Sequence, residues 1–326
     1  MTTTRPRRGA PDPPVRPVTA AVLGALGSVY VVWGSTYLAI KVTVASLPPF
    51  LAMGTRFLLA GTVLCLGLLA LRGRAVFRMS GRQLATAALC GLLLLVGGNG
   101  LVAVAEQDVA SGLTALLIAG TPLWVVVLRA LLHDRPSTGT VAGLLLGLAG
   151  VVVLLLPGFR GATELLPLLL VLLSSLLWSF GTVLSTRRPL PSDPFATTVV
   201  EMYAGGTAML VLGTLGGEWS RLDLAAVSAS SWLAYGYLVG IGSVVAYSAY
   251  VWLLANAPLS LVTTYAYVNP AVAVLLGAVL LGEPLTTSVL AGGAVIIAAV
   301  AFVISTESRS RRPGAGEDGR TPLEPA

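Results

Sequence analysis

Charged side chains are scarce in this sequence. They make up 10% of its 326 residues, whereas about a quarter of a typical soluble protein is charged. Hydrophobic residues make up 56% and occur in long runs. This composition excludes an ordinary soluble domain and predicts an integral membrane protein. Loops that face a cytoplasm then explain the net charge of +6, so we expect no nucleic-acid partner.

The residues that build catalytic and metal sites are also scarce. Histidine occurs once, at His133. Cys65 and Cys90 lie inside apolar runs, where each is interpreted as a small buried hydrophobic residue rather than half of a disulfide. The sequence has no GxxxxGKS/T phosphate-binding loop and no dinucleotide-binding glycine motif. We therefore expect no catalytic residue, no metal and no cofactor, and ATP-driven transport would need a separate subunit.

The apolar runs are long enough to predict ten membrane spans, because a helix needs about 20 mostly apolar residues to cross a bilayer. The tails, 1–17 and 306–326, are rich in Pro, Gly and charge and are predicted to be disordered and cytoplasmic. The expected spans are 18–40, 49–71, 84–105, 110–132, 138–156, 164–185, 194–216, 231–254, 259–281 and 286–305.

The spans repeat in two sets of five, 18–156 and 164–305, joined by a linker at 157–163. Trp33 matches Trp178 at an offset of 145, and Thr121-Pro122 matches Asn269-Pro270 at an offset of 148. A duplicated unit with an odd number of spans inserts upside down relative to its twin. The sequence therefore predicts an all-α membrane fold of two inverted five-helix repeats around a central cavity, an arrangement typical of secondary transporters.

Arginine is concentrated on one predicted side of the membrane. The loop after the second span carries Arg72, Arg74, Arg78 and Arg82, whereas the next loop carries Glu106 and Asp108. Because cytoplasmic loops are enriched in basic residues, both termini are predicted to be cytoplasmic in a multi-pass protein of the plasma (inner) membrane.

Several motifs resemble EamA-type members of the drug/metabolite transporter superfamily. The first half carries Trp33-Gly34-Ser35-Thr36-Tyr37-Leu38-Ala39-Ile40-Lys41, then Leu47-Pro48-Pro49-Phe50 and Arg56-Phe57. The second carries Ala246 to Leu254, Thr264 to Pro270 and Leu281-Gly282-Glu283-Pro284. The resemblance covers about 18–305. It implies ten helices in two inverted repeats and the export, sometimes uptake, of small metabolites such as amino acids, or of toxic amphiphiles.

Charges inside the spans are the best candidates for ion coupling, because an unpaired charge at the bilayer centre costs about 2.5 kcal/mol or more. Arg56 and Glu201 occupy aligned places in spans 2 and 7, so one hypothesis pairs them. The alternatives are a local partner for each, or snorkelling to the headgroups. Lys41, the only lysine, is either an interface anchor or a cavity charge. Glu106 is either a residue of the cavity mouth or a solvated helix end.

Pro122 and Pro270 are expected to interrupt spans 4 and 9, where they act either as hinges or as passive bends. Asn99, between Gly98 and Gly100, could loosen span 3, although small residues more often permit close packing. Aromatic rings with hydroxyl groups suit a small amphipathic or cationic ligand. The predicted substrate cavity comprises Trp33, Ser35, Thr36, Tyr37, Lys41, Asn99, Trp124, Trp178, Tyr247, Tyr265, Tyr267 and Asn269.

Together these features predict a secondary transporter, an exporter of a small metabolite that is either amino-acid-like or an amphiphilic or cationic compound. Its expected partners are that substrate, the lipid bilayer and, as the candidate coupling ion, protons. Two alternatives from other classes are an intramembrane enzyme that acts on a lipid and a non-transporting subunit of a membrane complex. The first lacks the usual cluster of acids or histidines at one membrane face, and the inverted duplication argues against the second.

Overall fold

The computed structural model describes residues 19–132, 137–159, 164–262 and 264–310, and the regular elements within them are helical. Short helical turns at Arg74–Phe77, Glu218–Arg221 and Leu259–Val262 accompany the long helices. The long helices are α1 Ala20–Val44, α2 Pro49–Arg72, α3 Gly81–Ala105, α4 Ser111–Leu131, α5 Thr138–Phe159, α6 Leu165–Arg187, α7 Pro194–Leu215, α8 Ala229–Asn256, α9 Tyr265–Leu281 and α10 Thr287–Ser310.

The expectation of an all-α membrane protein is confirmed. In the described part of the chain, seven helices (α1 to α4 and α6 to α8) are long and apolar enough to cross a membrane. The other three have shorter apolar cores, at Thr138–Leu154, Val268–Leu281 and Thr287–Val303, so ten spans stay a prediction.

Several predicted boundaries differ from the structure. Helix α10 continues to Ser310, beyond the predicted tail boundary at 306, and α5 continues to Phe159, into the predicted linker. Hydropathy does not predict these extra residues, which are Pro-Gly-Phe at 157–159 and Thr-Glu-Ser-Arg-Ser at 306–310. A helix ends where its backbone hydrogen bonds end rather than where lipid ends. The rest of the predicted linker and tails, and His133, lie outside the described residues.

The first turns of α1, α3 and α7 show why these helices begin where they do. The Thr19 hydroxyl accepts from Val22 N at 3.3 Å, and Ser80 and Gln83 form a reciprocal capping box before α3. Asp193 accepts from Phe195 N at 2.8 Å, with Pro194 at the first position of α7. Each cap satisfies amide groups that have no intrahelical partner.

The helices pack so that a space remains in the middle. Helix α2 lies along α7 and α5 along α10, whereas α1 contacts α8 and α9, and α6 contacts α3 and α4. Glycine permits the closest of these approaches. A methyl group at Gly91 on α3 would lie 2.6 Å from the Glu201 Cα on α7, so only glycine fits there.

Two helices are wound more widely in their middle turns. Residues Leu92–Gly100 of α3 and Leu238–Tyr247 of α8 form π-helix. The first segment contains Asn99, for which the Gly-Asn-Gly sequence suggested a loosened helix. π-Helical turns are frequent at functional sites because they shift side chains out of the regular α-helical register. Both segments face the central space described below.

Candidate functional site

A central cavity lies among α1, α2, α3, α4, α6, α8 and α9. It encloses about 600 Å³ of empty space, part of it open to solvent. Of the predicted cavity residues, those on its wall are Trp33, Thr36, Tyr37, Asn99, Trp178, Tyr247 and Tyr265. Wall residues that sequence reasoning missed are Ile40, Phe57, Gly98, Val102, Ile118, Ser174 and Gly242.

One face of α1 supplies the first part of the wall. Trp33, Thr36, Tyr37 and Ile40 follow the spacing i, i+3, i+4, i+7, which places them in a single stripe along the helix. Ser35 is on the opposite side, where its hydroxyl lies 2.6 Å from the hydroxyl of Tyr237. Helical spacing therefore separates the wall residues from Ser35 although they are neighbours in sequence.

A cluster of aromatic rings forms the densest part of the site. Trp33 contacts Trp178 with ring centroids 5.4 Å apart, Tyr265 at 5.3 Å and Tyr250 at 4.8 Å. The Trp33–Trp178 and Trp33–Tyr265 pairs are edge-to-face, the geometry that the ring quadrupoles favour. The Tyr250 hydroxyl is 2.7 Å from the Thr182 hydroxyl. The Trp33 ring on α1 thus contacts aromatic rings of α6, α8 and α9.

Arg56 brings a buried positive charge to the wall. It is 3% exposed, and its Nε donates to the Ser243 hydroxyl at 2.8 Å. Its Nη1 points to the Met53 sulfur at 3.4 Å, and its Cζ lies 4.6 Å from the centre of the Phe57 ring. The guanidinium has five N–H groups, so these neutral contacts leave N–H groups for a ligand. Among the described residues, Arg56 is the one charged side chain on the wall.

Glu201 lies behind the wall on α7 and is 1% exposed. Its carboxylate accepts a hydrogen bond from the Tyr247 hydroxyl at 2.9 Å. Because Tyr247 itself lines the cavity, this hydroxyl connects the carboxylate to the wall. The hypothesis that pairs Glu201 with Arg56 is wrong. Each has a local neutral partner on α8, which was the alternative.

Several predicted site residues lie away from the wall. Lys41 donates to the Gln107 backbone oxygen at 3.2 Å, and Glu106 is fully buried beyond the cavity. Trp124 is half-buried outside the cavity. The side chain of Tyr267 lies outside the described part of the chain.

The two residues that precede Pro122 and Pro270 bond to other helices. Thr121 donates to the Ile118 oxygen at 2.6 Å and lies 2.9 Å from the Ser175 hydroxyl on α6. With its amide nitrogen facing two carbonyls, Asn269 donates to the Tyr30 oxygen on α1 at 3.0 Å and to the Tyr265 oxygen at 3.3 Å. Thr121 thus satisfies the carbonyl, four residues before Pro122, that the proline leaves without an amide partner. Asn269 instead links α9 to α1 through the Tyr30 oxygen.

The two proline sites are not equally interrupted. Helix α4 has a turn at Ala119 and Gly120 immediately before Pro122. Helix α9, by contrast, runs through Pro270 without a break, so the expected interruption there is wrong. Pro270 is the sixth residue of α9, close enough to its start that few backbone hydrogen bonds are lost.

Pro122→Ala and Pro270→Ala should each lower transport more than they lower the amount of membrane-inserted protein. Alanine can donate the backbone hydrogen bond that proline cannot, which stiffens each helix at that point, while most of the packing survives. The measurement is the initial transport rate per inserted molecule, with Pro194→Ala as the control because its proline begins α7 and bends nothing. Wild-type rates in both variants would rule out a hinge.

Comparisons with known proteins agree with this architecture. The family model described as "EamA-like transporter family" matches residues 19–156 and 165–305. The "Uncharacterized inner membrane transporter YedA" of Escherichia coli (strain K12) is 41% identical over 283 residues, which cover 86% of this chain and 90% of that protein. The "Uncharacterized transporter YvbV" of Bacillus subtilis (strain 168) is 25% identical over 292 residues, which cover 89% and 93%. One crystal structure, 22% identical, has a TM-score of 0.63 over 90% of this chain and 99% of its own and shows a similar fold.

Proposed function

The chain belongs to the EamA-like transporter family, and from that premise we propose that it exports a small amphipathic carboxylate through the central cavity. The family and the relatives establish a multi-pass transporter of the inner membrane rather than an enzyme. The substrate class, the direction and the coupling ion are our proposals.

The observation that carries the substrate class is Arg56 on an aromatic wall. A guanidinium binds a carboxylate through two parallel hydrogen bonds, and such charge-assisted bonds are among the strongest in proteins. The rings of Trp33, Trp178 and Tyr247 offer apolar faces for the rest of the ligand. Of the two ligand classes expected from sequence, the amino-acid-like one therefore suits the wall better than a cation, which Arg56 would repel.

Binding to the purified full-length protein in nanodiscs tests this substrate class. The probes are three compounds with one aromatic group: 3-phenylpropanoate, its amide and 3-phenylpropylamine. A ligand at concentration c that binds only the folded state raises the free energy of unfolding by RT ln(1 + c/Kd), so at equal concentration the tightest binder raises the unfolding temperature most. We expect the carboxylate to stabilise the protein most. Stabilisation by the amine alone would contradict the proposal.

We also propose that the ten helices form two inverted repeats. Trp33 and Trp178 are aligned in the sequence repeat and meet in the centre of the molecule. Helix pairs α1–α9 and α4–α6 are equivalent under the same repeat, as are the π-helical segments of α3 and α8. A two-fold symmetry axis that relates the two repeats and passes through the cavity would bring such equivalent residues into contact.

The inverted topology predicts that positions 78 and 108 lie on opposite sides of the membrane, with 78 in the cytoplasm. Both Arg78 and Asp108 are exposed, so cysteines placed there should react readily. The measurement is labelling by a membrane-impermeant thiol reagent in intact cells and in inverted vesicles, with Cys65 and Cys90 replaced. If both positions were labelled from the same side, the ten-span topology would be wrong.

A further inference from the structure

Glu106, immediately after α3, has a buried carboxylate with no hydrogen-bond partner among the described residues. The residue is 0% exposed, and both carboxylate oxygens lack such a partner. Its neighbour Lys41 directs its ammonium to the Gln107 backbone oxygen instead. Burying an ionised carboxylate is costly unless it is paired or takes up a cation. Glu106 therefore needs a positive partner.

A second carboxylate lies in the same region. Glu283 follows Gly282, whose φ of +66° turns the chain after α9, and accepts from Ser111 N at 2.7 Å and Gly112 N at 3.0 Å. It lies close enough for its charge to act on the Glu106 carboxyl. Two nearby carboxylates repel each other unless a cation lies between or beside them.

Two buried hydroxyl groups at the start of α4 are further candidate oxygen ligands beside the two carboxylates. Ser111 Oγ and Thr114 Oγ1, one turn apart, are both 0% exposed and without a partner among the described residues. Ser111 Oγ is next to the second carboxylate, because a methyl group at Gly277 would lie 3.0 Å from this oxygen and 2.8 Å from the Glu283 Cδ. Buried hydroxyls normally have partners, so their lack of partners here points to a ligand.

The charged and titratable groups around Glu106 come from three elements. Helix α1 contributes Lys41 and Tyr37, the segment after α9 contributes Glu283, and the loop itself contributes the exposed Asp108. Burial raises the pKa of the Glu106 carboxyl well above its usual range, an effect that Lys41 opposes and Glu283 reinforces. Tyr37 also lines the cavity, so Glu106 and the residues around it adjoin the proposed substrate site.

We propose that Glu106, with Glu283 and the Ser111 and Thr114 hydroxyls, forms a monovalent-cation site that binds a proton or Na⁺. The donors are all oxygens, which suit hard cations. The site is separate from Glu201, which lies on α7 and contacts Tyr247. Coupling of this cation to substrate movement rests on the proposed transport function, whereas binding of the cation does not.

The test is the unfolding temperature of the full-length protein in nanodiscs, without substrate. One arm replaces choline chloride by NaCl at constant ionic strength, and the other varies pH without Na⁺. If Na⁺ binds, the wild type is stabilised saturably by NaCl. If a proton binds, stability is highest at low pH and falls as pH rises through the raised pKa of Glu106, because the unfolded chain ionises first.

Three variants assign the response. Glu106→Gln should remove it, while Glu164→Gln, which changes an exposed acid before α6, should retain it. Ser111→Ala should shift the midpoint, the NaCl concentration or the pH at which the change in unfolding temperature is half complete. This variant tests the proposal if Glu106→Gln protein does not fold. A wild type that responds to neither cation, a response unchanged in Glu106→Gln, or an unshifted midpoint in Ser111→Ala would each overturn the proposal. Because no transport is measured, these results are independent of the substrate class.

Discussion

Arg56→Gln protein is expected to bind a carboxylate substrate roughly 30-fold to several thousand-fold more weakly than the wild type. Truncating one partner of a buried charge pair costs about 2 to 5 kcal/mol, and each 1.4 kcal/mol is tenfold in affinity. Glutamine can still bond to Ser243 but carries no charge and cannot form the two-pronged contact. The measurement is Kd from ligand-induced stabilisation of purified protein, followed by the transport rate in vesicles.

Two control variants separate this effect from a general loss of structure. Arg72→Gln removes an arginine from the end of α2, where it pairs with Asp193 away from the cavity, and should leave Kd unchanged. Arg56→Lys keeps the charge but not the planar fork, so binding should be intermediate. If Arg56→Gln protein bound the carboxylate as tightly as the wild type, the cavity would not recognise its substrate by charge.

Glu201→Gln is expected to abolish transport driven by a pH gradient while leaving substrate binding largely intact. A carrier that exchanges substrate for protons needs a carboxylate that gains and loses a proton during the cycle. Glu201 is deeply buried and bonded to a residue of the cavity wall, so its charge can respond to substrate. Glutamine keeps the size and can still accept from the Tyr247 hydroxyl, but it cannot be deprotonated.

The measurement for Glu201 is uptake into vesicles after an imposed pH step. Glu164→Gln is the matched control, because Glu164 precedes α6 and is exposed. Unchanged gradient-driven transport in well-inserted Glu201→Gln protein would make Glu201 a structural residue. Attention would then move to Glu106 or to a carrier without proton coupling.

Periodicity and alignment of the two halves predicted the centre of the site. Trp33 and Trp178 could be selected because they match across the repeat, and they are in contact. Depth in apolar runs marked Arg56 and Glu201 as charges inside spans, with snorkelling as an alternative, and both are buried in the structure. Both inferences rest on the order and spacing of residues along the chain, which the sequence records directly.

What sequence could not predict depends on rotation and contact between helices. Lys41 was a cavity candidate by its position after Tyr37, but α1 turns its side chain to the Gln107 carbonyl. Phe57, Val102 and Ile118 line the cavity and look like any other apolar residue in a span. Glu218 follows the expected span 194–216, yet it is 5% exposed and accepts from Leu51 N at 2.8 Å, which caps the start of α2.

The most direct test of the proposed transport is substrate accumulation in inverted membrane vesicles with an acidic interior. The substrate is whichever carboxylate most stabilises the purified protein. The proposal predicts accumulation that a protonophore abolishes and that Arg56→Gln protein, present at equal amounts, does not support. If well-inserted wild-type protein moved none of the carboxylates that bind to it, with or without the gradient, the assignment of the cavity as a transport site for carboxylates would be contradicted.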